Sequence, residues 1–180
     1  MAEGILLRHL RSAILPIMVV VIIPYLLVIG FHPLGFGHHF AVPLIQVPVG
    51  ALFFSSGLLL LFITIWVFAK EGNGTLAPWD PPRKLITEGV YRYIRNPMIS
   101  GVLFMLIGET VFFISWLLLI WTLFFFLGNT LYFRFSEEPG LTKRFGEDYL
   151  EYRRNVPMWI PRPKPWGRET RSAGKQKGIT

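Results

Sequence analysis

The chain has 180 residues, 52% of them hydrophobic, with a mean hydropathy of +0.47 and a formal net charge of +7. No Asp, Glu, Lys or Arg falls between Ser12 and Ala69, so the apolar surface exceeds what a soluble core of this size can hide, and the composition specifies an all-α integral membrane protein. Cysteine is absent and the four histidines are scattered, which removes disulfides, thiolate nucleophiles and Cys-ligated metals and leaves no convincing metal site; cofactor chemistry must come from a diffusible small molecule.

The first apolar segment, about 12–31, follows Arg8 and Arg11. It is longer than the apolar core of a typical secretion signal and no small-x-small site follows at Gly30-Phe31-His32, so it reads as a retained span in which neighbouring helices shelter Pro16 and Pro24. The connection after it carries His32, His38 and His39; adjacent histidines cannot share a helical face, and the segment reads as a Gly/Pro-rich turn at headgroup level. The second span, about 47–69, stops at Lys70-Glu71-Gly72-Asn73-Gly74, and its Gly50, Ser55, Ser56 and Gly57 suit close helix contact.

From Pro97 to Phe133 only Glu109 is charged. One helix of that length would run about 55 Å through a hydrocarbon core of about 30 Å. A hairpin turning near Ile114-Ser115 resolves the mismatch and makes about four transmembrane helices, with Glu109 expected near the outer tip where it reaches water. Lys and Arg occupy the N-terminal arm, the 70–95 loop and the chain from Arg134 onward; the positive-inside rule then puts both termini and the long loop in the cytoplasm. The expected organisation is two N-terminal spans over 1–70, a functional region of loop, hairpin and cytoplasmic amphipathic helix over 71–166, and a disordered tail over 167–180 whose Arg168, Arg171, Lys175 and Lys177 suit anionic lipid.

Two polar signatures border the hairpin and should meet at one membrane face. In the first, Tyr91-Arg92-Tyr93-Ile94-Arg95-Asn96-Pro97-Met98 with Gly101, Asn96 is a good N-cap and Pro97 suits the first helical position. The free N–H groups of that helix start would also hold a carboxylate or phosphate, with Gly101 one turn in admitting a ligand to the backbone and Arg92 and Arg95 adding charge. In the second, Glu137-Glu138-Pro139 is expected to end one helix and restart another. Beyond it Leu141, Phe145, Tyr149 and Tyr152 fall on one face of an amphipathic helix, either lying on the membrane surface or closing as a lid.

Arg95-Asn96-Pro97-Met98 with Gly101, followed by Glu137-Glu138, Phe145-Gly146, Tyr149, Tyr152 and Val156-Pro157, resembles the isoprenylcysteine carboxyl methyltransferase and phospholipid methyltransferase group of membrane enzymes over about 78–161. Many members carry histidine where this chain has Asn96, and often an aromatic where it has Ile99, so acid–base use of position 96 is not implied. The resemblance implies S-adenosylmethionine bound at the cytoplasmic side and a lipid or lipidated acceptor entering from the membrane, with no nucleic acid involved. Carried onto this chain, it makes Asn96, Pro97, Met98, Gly101, Glu137, Glu138 and Tyr149 the candidate cofactor-binding residues, and Arg95 and Arg154 the candidates for steering the acceptor. A carboxylate acceptor is already ionised and needs only an arginine, whereas an amine must first lose a proton. The arginines favour a prenylcysteine-like carboxylate; a phospholipid amine acceptor, an NADPH-dependent sterol-type reductase and a non-enzymatic membrane scaffold are the alternatives.

Overall fold

The computed structural model describes residues 15–31, 43–71 and 84–167. Every regular element among them is helical. The histidine-bearing turn and the basic tail beyond Gly167 lie outside the described residues. A π turn, Met18–Ile22, leads into α1, Ile23–Phe31; α2 is Pro43–Glu71, α3 Pro97–Phe113 and α4 Trp116–Tyr132. A second π turn, Phe133–Glu137, joins α4 to α5, Glu138–Asn155. Leu44–Phe68 and the continuous helix starting at Trp116 are long and apolar enough to cross a membrane, while Leu15–Gly30 and Pro97–Phe113 are shorter apolar helices. The apolar run of α4 ends at Phe133 and charges begin at Arg134, so the part able to lie in hydrocarbon closes there.

Both π turns have the same cause. Each ends two residues before a proline, Pro24 or Pro139, and in each the residue before the proline reaches back five positions, Ile23 N–H to Met18 O and Glu138 N–H to Phe133 O. A proline ring collides with the carbonyl four residues back, and one extra residue in the preceding turn widens the helix there. This corrects the expectation that the helix ends and restarts around Glu137-Glu138: the chain passes through the turn without a break.

The hairpin reverses where the sequence placed it. Ile114 adopts the left-handed conformation (φ 45°, ψ 49°), and Ser115 caps α4 by accepting the Leu118 N–H at 3.5 Å. The most extensive helix contact is between α2 and α3, through glycines seven residues apart on each. A Cβ at Gly57 would lie 2.4 Å from Gly101 O, one at Gly108 2.7 Å from Phe54 N, and one at Gly50 2.9 Å from Gly108 O; the two backbones touch, and nothing larger than hydrogen fits. Gly101 therefore admits α2 rather than a ligand. Leu106 and Met105 of α3 pack with Val20, Trp121 and Phe125 to form the core beside this seam.

α5 is not a straight rod. In a straight helix Glu138 and Arg153 would stand about 22 Å apart along the axis, yet Arg153 Nη2 lies 3.2 Å from Glu138 Oε2. The chain turns back at Gly146 (φ 55°, ψ −132°), a conformation open to glycine alone. Leu141 and Phe145 thus meet the buried Tyr149, Tyr152 and Val156 because two arms fold together. The helical periodicity named the right residues for a different reason.

Candidate active site

A cavity of about 870 Å³ opens among the 15–19 segment that leads into α1 and the helices α2, α3, α4 and α5. Along α3 its wall passes from Asn96 at the helix start through Met98 and Ile99 to Val102, about 9 Å further in. Val19, Leu61, Ile65 and Phe125 complete an apolar portion; Tyr91, Arg95, Glu137, Glu138 and Tyr149, with Asn129, Ser136 and Arg144, contribute polar groups.

The turn before α3 is held by the chain that follows α5. Arg95 N–H donates to Pro157 O at 2.9 Å, Arg162 N–H to Tyr93 O at 3.0 Å and Trp166 N–H to Arg92 O at 2.9 Å. The Arg92 Nε donates to Trp166 O at 2.7 Å, so this arginine clasps backbone rather than adding a free charge to the site. Arg95 is held on two sides: Nε donates to Val156 O at 2.8 Å, and Nη1 to Glu138 Oε1 and, at 3.3 Å, to the Tyr149 hydroxyl. Its Nη2 has no hydrogen-bond partner among the described residues and Arg95 lines the cavity, which leaves that edge for a ligand. Tyr152 donates to Tyr91 O at 2.7 Å and pins the second arm of α5 to the same turn.

Asn96 occupies the N-cap position of α3, but its side chain makes no cap bond; its backbone carbonyl takes both the N–H and the hydroxyl of Ser100, at 3.1 and 2.9 Å. Only 6% exposed, it leaves Nδ2 buried with no partner among the described residues. An orphaned buried amide costs about 1–3 kcal/mol, and here it lines the cavity beside a helix N-terminus, where an anionic ligand group would satisfy both. Glu137 lines the same cavity. Burial, and then the charge of Glu138, pushes its carboxyl from an ordinary 4.5 up to about 7. Burial, with Glu137 adding, likewise raises the Tyr91 phenol above its ordinary range.

The sequence profile of the phospholipid methyltransferase family matches residues 45–148. The chain belongs to that family. Among its relatives, protein-S-isoprenylcysteine O-methyltransferase B of Arabidopsis thaliana is 36% identical over 84 residues, covering 43% of this chain and 40% of the relative. The human protein-S-isoprenylcysteine O-methyltransferase is 36% identical over 83 residues, 43% of this chain and 27% of the relative, and that of Schizosaccharomyces pombe is 34% identical over 80, 43% and 33%. Each match spans less than half of the relative's length. The phospholipid methyltransferase profile begins within α2, a helix that the motif-based resemblance left outside.

In this phospholipid methyltransferase family member the structure brings Arg95, Asn96, Met98, Glu137, Glu138 and Tyr149 to one cavity. Pro97 is buried at the first turn of α3, where its missing N–H leaves nothing unsatisfied. Gly101 is taken up by the α2 contact. Arg154 does not line the cavity: its side chain is 70% exposed and faces Glu147 at 3.8 Å. Tyr91 is legible as part of the first signature without being singled out there, and the walls from the 15–19 segment and α2 carry no polar residue that could announce them.

Glu109 lies four residues before the end of α3 and does not line the cavity, though its Oε2 is buried without a partner among the described residues. Glu109→Gln should leave cofactor affinity at the wild-type level in calorimetric titration. A drop in affinity with an unchanged melting temperature would connect it to the site.

Proposed function

We propose that the chain is a multi-pass membrane methyltransferase that uses S-adenosylmethionine and acts on the carboxylate of a prenylcysteine-like lipid. The observation that carries this reading is the single cavity joining an apolar portion to polar groups that include an orphaned amide at a helix start. In this reading α1 to α4 are the four crossings, and the 84–96 turn, α5 and both termini lie on the cytoplasmic side, where the positive charges are.

The polar groups fit the cofactor. The α3 N-terminus and the Asn96 amide would take its carboxylate, and Glu137, with no arginine or lysine in ion-pair reach among the described residues, would take its ammonium or hydroxyl groups. Bound there, S-adenosylmethionine supplies a methyl group on a sulfonium, an electrophile that needs no covalent enzyme intermediate. The protein's task is to align the acceptor, exclude water and offset the charge that changes along the way. The free edge of Arg95 orients an acceptor carboxylate, Tyr149 and Val156 keep that edge in place, and the apolar lining from the 15–19 segment, α2 and α4 takes the hydrocarbon.

The isoprenylcysteine methyltransferases among the relatives support a carboxylate acceptor. A second reading, methylation of a phospholipid amine, is favoured by Glu137, which could accept the proton an ammonium must lose. The deciding assay follows labelled methyl from S-adenosylmethionine onto a prenylated cysteine and onto an ethanolamine phospholipid. Product on the prenylated cysteine supports the first reading, product on the phospholipid alone the second, and no transfer to either, with S-adenosylmethionine failing to bind, refutes both.

Glu137 also sets a pH dependence. If its ionised form meets a cationic group, affinity for S-adenosylmethionine should climb as pH rises through about 7 and then level, and Glu137→Gln should abolish the climb. Stability of the ligand-free protein should run the other way, falling between pH 4.5 and about 7, because the folded chain holds this proton more tightly than the unfolded one. An affinity that is flat across this range in the wild type removes Glu137 from the binding site.

A further inference from the structure

Adjacent glutamates at the α4–α5 junction meet different surroundings. Glu138 is only 3% exposed and its two oxygens take two arginines, Arg95 Nη1 from the turn before α3 and Arg153 Nη2 from the far arm of α5. Arg95 in turn holds Tyr149 and Val156 of that same region. One carboxylate thus ties together the start of α5, its folded-back end and the α3 entrance. A buried carboxylate already neutralised by two guanidinium groups has little capacity left for a ligand cation. Glu137 lines the same cavity and forms no ion pair among the described residues.

We propose that the two glutamates divide the work: Glu138 is a positioning residue that latches the two arms of α5 over the cavity and fixes the Arg95 guanidinium, and Glu137 is the carboxylate that meets the ligand. The latch closes at Gly146, which alone permits the reversal. The assignment of Glu137 rests on the S-adenosylmethionine reading of the cavity; the latch does not.

The test compares Glu137→Gln, Glu138→Gln, Arg153→Ala and the Glu138→Gln/Arg153→Ala double variant of the full chain in lipid nanodiscs. Calorimetric titration with S-adenosylmethionine, methyl transfer to a prenylated cysteine, and amide hydrogen exchange over 147–155 are measured for each. Glu137→Gln should lower affinity about tenfold or more with wild-type exchange, since a charge-assisted contact is lost while the latch stays closed. Glu138→Gln should keep affinity within about threefold yet lower turnover by about fiftyfold, because the acceptor-orienting edge is displaced. Arg153→Ala, whose side chain is 44% exposed and absent from the cavity wall, should accelerate exchange over 147–155 and lower turnover in the same direction. The double variant should be no worse than Glu138→Gln, because both changes break one network. Loss of affinity in Glu138→Gln matching that in Glu137→Gln, with Arg153→Ala indistinguishable from wild type, overturns the division. Should Glu138→Gln fail to fold, Arg153→Ala decides the latch alone: accelerated exchange supports it and wild-type exchange sinks it. Wild-type protein that does not bind S-adenosylmethionine refutes the cofactor reading, and with it Glu137's role, while the exchange measurements still decide the latch.

Discussion

Arg95→Lys is expected to lower methyl transfer to a carboxylate acceptor by about a hundredfold, the scale of effect that follows from a small misplacement of a reacting group. Arg95 meets Val156 through Nε and both Glu138 and Tyr149 through Nη1, while Nη2 has no hydrogen-bond partner among the described residues and is proposed to meet the acceptor. Lysine keeps the charge but concentrates it on one atom, so it cannot hold Val156 and Glu138 while presenting an edge to the cavity. Affinity for S-adenosylmethionine should fall by no more than about threefold, since its carboxylate is assigned to Asn96 and the α3 start. Melting should also drop, by about 1–3 kcal/mol in stability, for the loss of hydrogen bonds to a charged group. Turnover of an ethanolamine phospholipid undiminished in the variant, with none on a prenylated cysteine, would overturn the carboxylate assignment and leave the methyltransferase reading intact.

Gly57→Leu is expected to cost the protein most of its folded population. A Cβ there meets Gly101 O at 2.4 Å and Met105 N at 2.7 Å, and both are backbone atoms that no rotamer change can move. Core overpacking typically costs about 1–3 kcal/mol. Here the larger side chain also forces α2 from α3, opening the neighbouring contacts at Gly50 and Gly108. Gly128 on α4 is the control, since a Cβ there meets nothing within 4 Å. Gly128→Ala should be neutral or gain up to about 1 kcal/mol from helix propensity. Thermal unfolding in detergent separates the two, and a Gly57→Leu protein that melts like the wild type would show that the α2–α3 seam does not carry the fold.

Much of the fold was legible because hydrocarbon imposes a length. A run of apolar residues from Pro97 to Phe133 can satisfy its backbone only as helices, and a turn had to fall near its middle; Ile114 and Ser115 supply it. The seven-residue spacing of Gly101 and Gly108, facing Gly50 and Gly57, was half visible. The α2 glycines read as a contact surface, but Gly101 in α3 sits inside a motif, where its spacing reads equally as room for a ligand. Spacing alone cannot say which neighbour fills the room beside a glycine.

The site divides the same way. Residue type and order singled out Arg95, Asn96, Met98, Glu137, Glu138 and Tyr149, which meet at one cavity, because helix starts, carboxylates and arginines at the ends of apolar runs have few uses besides capping, topology and ligand binding. The sequence by itself also determined the membrane class and the helical architecture, while the widened turns before Pro24 and Pro139 emerged only in the structure. Only the tertiary structure decided how the charges are shared. The reversal at Gly146 brings Arg153 to Glu138 from fifteen residues away and turns Arg154 outward to Glu147. The segment after Val156 fixes Arg92 and Arg95 through backbone carbonyls, which carry no sequence signature. An ion pair depends on where two side chains end in space, and a single positive φ in a helix redirects everything that follows it.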